Sequence, residues 1–142
     1  MESIEYHKTI RDLKVYGTPL DIKMLIAVIE EQLDDDWFRA HEEEEKFRWR
    51  LGKIQYIFIR AHREYRQGVA IALRVTEYGL NLFNLVPERT PLSIDEYNAI
   101  VADFFLRFID PAALELELLT EISPDEICAK QGRQHRTLIV SC

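Results

Sequence analysis

Between positions 46 and 66 seven cations, Lys46, Arg48, Arg50, Lys53, Arg60, Arg63 and Arg66, are opposed only by Glu64, and aromatic side chains are threaded among them. Arginine interleaved with tryptophan, phenylalanine and tyrosine is the composition of a surface that meets anions. Guanidinium groups hydrogen-bond phosphates or carboxylates in a fixed fork, and exposed rings stack on bases. The candidate binding residues are Trp37, Arg48, Trp49, Arg50, Lys53, Arg60, His62, Arg63 and Arg66. Trp37 enters because a tryptophan beside Asp34, Asp35 and Asp36 is either a protein-binding anchor or the lid of the core. For the arginines the plain alternative is a strand whose cations pair with the acidic run Glu42 to Glu45 just before it.

Reaction chemistry has little to stand on. His41 and Glu45 would share a helix face, a spacing that can hold a metal, but a zinc or manganese site needs three or four ligands and no others suggest themselves. His62 stands at a predicted strand end, where a histidine can act as a general base, with no nucleophile beside it. GxSxG, GxxxxGK[ST] and GxGxxG are all absent, and five glycines form no phosphate cradle. The aspartates 34 to 36 lack the spaced ligands and glycine of a calcium loop. Cys128 reads as a buried structural thiol in a short helix, and Cys142 is the last residue. No cofactor is expected, and catalysis is not the favoured role.

The elements that must carry these residues follow from period and caps. Alternation with period two predicts strands over Phe47 to Leu51, Lys53 to Ala61, Val69 to Thr76 and Leu80 to Val86, with a further short strand or arm before Gly17. On that reading Phe47, Trp49 and Leu51 point into the core, as do Tyr56 and Phe58, while Arg48 and Arg50 form a hydrated stripe. Gly79 leaves a helix open for residues 69–78. Thr18, Pro19 and Asp21 predict a helix start, giving a helix from Leu20 to Leu33 with Ile22, Met24, Leu25, Val28, Ile29 and Leu33 inward. Ser93 and Glu96 predict a second, running to about Ile109 and stopped by Asp110 and Pro111. Leu114, Leu116 and Leu118 alternate with glutamates and suggest an edge strand, with a helix left open. Ser123 and Glu126 repeat the capping pattern for a short helix ended by Gly132, and Arg136 to Ser141 reads as a last strand or a tail.

The fold class is therefore α+β: one domain over residues 1–142, a single mainly antiparallel sheet of three to five strands, and two main helices on one face. A βαβ arrangement is the alternative if 69–78 is helical. The formal charge of −7 argues against a general nucleic-acid coat, though not against a local basic face. The start of the chain lacks the pattern of a secretory signal, no apolar run approaches a membrane span, and the expected compartment is the cytoplasm. The favoured role is an acidic binding protein for a macromolecular partner, of bacterial immunity, antitoxin or accessory type. A nucleic-acid or nucleotide-binding module using 46–66 is the first alternative, and a small metal-dependent hydrolase around His41 or His62 the second. A sheet covered on one side leaves its other face open, so a homodimer is also an expectation.

Overall fold

Alternation with period two does build the centre of this protein. The computed structural model describes residues 4–131 and 137–141, with side chains described from 8 to 125. Among these the order is β1 (Ile4–Lys8), β2 (Leu13–Tyr16), α1 (Pro19–Gln32), β3 (Trp37–Arg39), α2 (His41–Leu51), β4 (Gln55–Arg60), β5 (Val69–Val75) and β6 (Gly79–Pro87). Then come α3 (Ile94–Phe104), a π-helical turn (Phe105–Ile109), α4 (Asp110–Glu115), β7 (Leu119–Ile122), β8 (Glu126–Gln131) and β9 (Thr137–Ser141). His135, Gly132 and Cys142 lie outside the described residues, and Cys128 falls in β8 where side chains are not described.

The class is α+β and the strands pair antiparallel, but the sheet is larger than expected. Six strands run in the order β3-β4-β5-β6-β2-β7, and a separate three-stranded sheet, β1-β8-β9, joins segments near the two chain ends. The size was under-read because β3 is three residues long and β7 four, too short for a period to register. Residues 69–75 are strand, which removes the βαβ alternative.

One apolar cluster joins the layers. Phe58, Ile71, Leu73, Leu80 and Val15 from the sheet meet Ile22, Leu25, Ile26 and Ile29 of α1 and Val101, Phe104, Phe108 and Ile109 from α3 and the turn after it. Each large side chain fully buried there contributes about 1.5–3 kcal/mol. Met24, expected inward, is half exposed, and Ile26 takes its place. Gly79 enters β6 where the chains run closest: at its φ of 148°, a Cβ would stand 2.1 Å from the Val15 carbonyl oxygen of β2.

Both helix starts are as the caps imply. Thr18 Oγ1 accepts from the Asp21 N–H while Asp21 accepts from Thr18, and Ser93 and Glu96 do the same. Three later expectations are corrected. Asp110 and Pro111 do not stop the second helix; it continues through the π-helical turn into α4. There the Asp110 N–H bonds five residues back to Phe105, a wider turn that accommodates the missing N–H and the ring of Pro111. Leu114 to Leu118 is not an edge strand; the helix left open for it forms as far as Glu115. α4 ends because Glu117 adopts φ 58° and the Leu118 N–H returns to the Ala113 carbonyl, a closure normally signalled by glycine. Finally, Ser123 caps no helix. Its Oγ accepts from the Asp12 N–H at 2.6 Å and its carbonyl from Arg11 Nε, so it clamps the start of β2, and Glu126 opens β8.

Candidate functional site

The basic stretch divides into two places. Its first half is not a strand. His41–Leu51 is α2, with Glu42, Glu43 and Glu44 in its first turn and Arg48 and Arg50 in its last, the charge order that a helix dipole favours. Gly52 closes it at φ 63°, its N–H bonded to the Arg48 carbonyl. These signals were present in the sequence but were masked by the alternation of apolar and basic residues over five positions. The inward placement of Phe47, Trp49 and Leu51 is therefore wrong. Trp49 is 89 % exposed, Leu51 56 % and Phe47 38 %, while Arg48, Arg50 and Lys53 are exposed around them. Among the described residues no carboxylate stands within ion-pair distance of Arg48, Arg50 or Lys53, so the expected pairing with the preceding acidic run does not form there.

The acidic run instead fastens α2 to the sheet. Glu44, the one buried residue of the helix, receives Arg39 Nε at 2.9 Å and Nη2 at 2.8 Å, and its Oε2 also accepts the Ile57 N–H of β4 at 3.0 Å. The Ala40 N–H donates to the Ile57 carbonyl, so the edge of β4 that β3 leaves unpaired is closed from both sides. Arg39 Nη1 reaches Glu30 of α1 at 2.9 Å, and His41 Nε2 meets the other Glu30 oxygen at 2.7 Å. Burial would push the Arg39 guanidinium down, but hydrogen bonds and charge from Glu44 and then Glu30 hold it above its ordinary value. Burial likewise pushes Glu30 up, and the hydrogen bonds of His41 and Arg39 override this and hold its carboxyl below the usual range.

A carboxyl depressed in the folded state stabilises the fold above its unfolded value and loses that contribution as pH falls through the folded one. The melting-temperature advantage of the wild type over Glu30→Gln should therefore shrink as pH drops below about 4. An advantage that stays constant from neutrality to acid would refute this role for Glu30. His41 is thus committed to α1, and among the described residues no group of three or more histidine, cysteine, aspartate and glutamate side chains is arranged to hold a metal.

The second half of the stretch surrounds the turn between β4 and β5. Arg63 and Arg66 exchange backbone hydrogen bonds at 2.8 and 3.0 Å, which projects Glu64 and Tyr65 outward, Tyr65 at 94 % exposure. Gln67 laces this turn to the segment after β6: its Nε2 donates to Thr90 and its Oε1 accepts the Arg89 and Thr90 N–H groups. Glu88 Oε2 accepts the Gly68 N–H at 2.9 Å, which lowers its carboxyl, and lies 3.5 Å from His62 Nδ1. Arg63 and Arg66 both reach Asp36 Oδ1, at 3.2 and 3.4 Å. A cleft of about 560 Å³ opens between this turn, Thr90 to Leu92 and α3, with Arg60, His62, Arg66 and Arg89 among its walls.

On the other side of Arg60 and His62 a smaller, more apolar groove of about 440 Å³ runs over Phe38, Ile59, Ala70 and Val86. These four form one cross-strand row through β3, β4, β5 and β6. Sequence reasoning missed that row because its four members lie on four different strands and meet only through strand pairing.

Trp37, the remaining candidate, is core and not an anchor. It is 3 % exposed, with ring centroids 4.9 Å from Phe104 and 6.3 Å from Phe108. The nine candidates therefore separate into α2 and its end (Arg48, Trp49, Arg50, Lys53), the walls of the cleft (Arg60, His62, Arg66), the turn beside it (Arg63) and the core (Trp37). Among the described residues no helix is long and apolar enough to cross a membrane. Comparison of the chain with protein-family models, with curated proteins and with solved structures finds no match in any of the three.

Proposed function

We propose that this protein acts by binding a protein partner with an acidic surface, through the end of α2, and not by catalysis. The reading is carried by Trp49, whose ring is almost wholly in solvent between two arginines that, among the described residues, have no carboxylate within 4 Å. Exposed tryptophan costs solvation that a monomer has no reason to accept, and tryptophan and arginine are the residues that dominate protein interfaces. Phe47 and Leu51, each two positions from Trp49, lie on the opposite side of α2 and are not part of this patch, while the exposed Arg48, Arg50 and Lys53 supply a field that attracts negative charge at a distance. The same residues suit nucleic acid in composition, but the overall charge of −7 opposes approach to a polyanion, whereas a protein presents a local acidic patch. Two cysteines in 142 residues give no disulfide framework, which suits a reducing cytoplasm.

The test is affinity capture from native lysate after nuclease treatment, comparing the wild type with Trp49→Ala and with Arg48→Glu/Arg50→Glu. Circular dichroism would verify that each variant is folded, as exposed positions permit. Truncating the tryptophan should weaken the complex by about 2 kcal/mol or more, roughly 30-fold, and the charge reversal should slow association and abolish its salt dependence. Equal retention by all three proteins would overturn the proposal. So would a bound species that nuclease removes, or a doubled mass in light scattering that Trp49→Ala returns to monomer, since that makes the occupant a second copy of this chain.

A further inference from the structure

The cleft beside the β4–β5 turn presents a separate chemistry that does not depend on α2. Arg60 is half buried at the end of β4, and among the described residues its guanidinium has one hydrogen bond, from Nη2 to the Gln67 carbonyl at 3.3 Å, and no carboxylate within 4 Å. Its Nε is buried without an acceptor, and so is the Nε of Arg66, a second guanidinium lining the same cleft. Arg66 donates Nη2 to the Ala61 carbonyl at 3.1 Å, reaches a carboxylate only at 3.4 Å, and shares that oxygen of Asp36 with Arg63.

Two under-compensated guanidinium groups side by side are unfavourable unless a counter-charge arrives. Desolvation, then the neighbouring charge of Arg66, depress Arg60 below its ordinary value despite Asp103 and Asp36 farther off. The remaining wall is complementary to an organic body: Leu92, Ala99 and Ile100 give an apolar side, and Thr90 a polar rim. A volume of about 560 Å³ lies within the range of small-ligand sites. The glutamates at this cleft do not supply the missing charge. Glu96 is spent on the Ser93 N–H as a helix cap, and Glu64 stands on the exposed tip.

We propose that this cleft binds a small organic oxyanion, a phosphate or carboxylate with an apolar body, with the anionic group on Arg60 and Arg66 and the body against Leu92 and Ile100. Paired guanidinium donors in a partly desolvated site are the arrangement that takes such groups in bidentate fashion.

The probes are phenyl phosphate, benzoate and inorganic phosphate, titrated into the full chain by calorimetry and by amide NMR shifts. Phenyl phosphate or benzoate should bind saturably, more tightly than inorganic phosphate, and shift amides of residues 60–68 and 89–100. Which of the two binds better assigns phosphate or carboxylate as the preferred head group. Arg60→Gln should weaken binding by about 10- to 100-fold, as expected when hydrogen bonds to a charged group are removed. Arg66→Gln, whose ion pair is the looser one, gives the same readout if Arg60→Gln does not fold. Absence of saturable binding by all three probes up to about 10 mM would overturn the proposal. So would binding that both substitutions leave unchanged, or shifts that map to Arg48 and Arg50 instead. The readout is probe binding and not partner retention, so its failure leaves the α2 proposal standing, and the converse.

Discussion

Glu44→Ala should release α2 from the sheet and lower the unfolding free energy by about 3 kcal/mol. Glu44 is the one buried residue in the eleven of α2, and it is held by three donors: two from Arg39 and the Ile57 N–H. Alanine leaves the half-buried Arg39 with Glu30 alone and orphans the Ile57 N–H at an edge that β3 does not reach. Both losses cost the full desolvation of groups left without partners, which is why the effect exceeds that of an exposed ion pair. Glu44→Gln keeps an acceptor for Ile57 but removes the charge, so it should recover part of the loss. Urea denaturation measures the change, and hydrogen exchange should show the amides of α2 losing protection ahead of those of β4 and β5. A change under about 1 kcal/mol, with α2 still protected, would contradict this account. The functional consequence follows from geometry. If α2 carries the partner, Glu44→Ala weakens capture although Trp49, Arg48 and Arg50 are untouched.

Phe104→Ala should be the most damaging single truncation, at about 3–5 kcal/mol. Phe104 is fully buried at the junction of α3 and the π-helical turn, with ring centroids 4.9 Å from Trp37, 5.3 Å from Phe58 and 5.3 Å from Phe108. One ring therefore joins β3, β4 and the helix. Alanine leaves a cavity whose walls belong to three elements and cannot collapse together. Phe104→Leu, which retains most of the volume, should cost less than the alanine change by about 2 kcal/mol. For a chain of this length each kilocalorie shifts the midpoint by roughly 3–4 °C, so thermal unfolding should fall by about 10–20 °C. Equal losses for alanine and leucine would mean that ring geometry, and not volume, is what the core requires there.

The two halves of the basic stretch show where sequence reasoning succeeds and where it fails. From Gln55 to Val75 the strands and inward Tyr56 and Phe58 were legible, because alternation there lasts long enough to distinguish period two from 3.6. Over Phe47 to Leu51 the same alternation spans five residues, and five residues of alternation on an exposed helix look identical. What distinguishes them is burial: a strand must hide one face, whereas α2 buries only Glu44 and leaves Trp49 in water. The Arg60 cleft was legible only as a list of cations. Its walls come from the β4–β5 turn, the segment after β6 and α3, and no local pattern encodes that meeting.

By itself the sequence determined the mixed class, the antiparallel centre and both capped helix starts, since each depends on neighbours a few positions apart: a period, a hydroxyl three residues before an N–H, an acidic first turn. Tertiary structure decided the six-strand order, the small sheet made near the two ends, the continuation of the second helix through Pro111, and the separation of Trp49 from Trp37 into solvent and core. Those outcomes turn on which distant surface is available to desolvate a side chain or satisfy a backbone group. Glu44 reaching Arg39 and the edge of β4, and Phe104 reaching Trp37, are long-range matches of that kind, and no window of sequence contains both partners' surroundings.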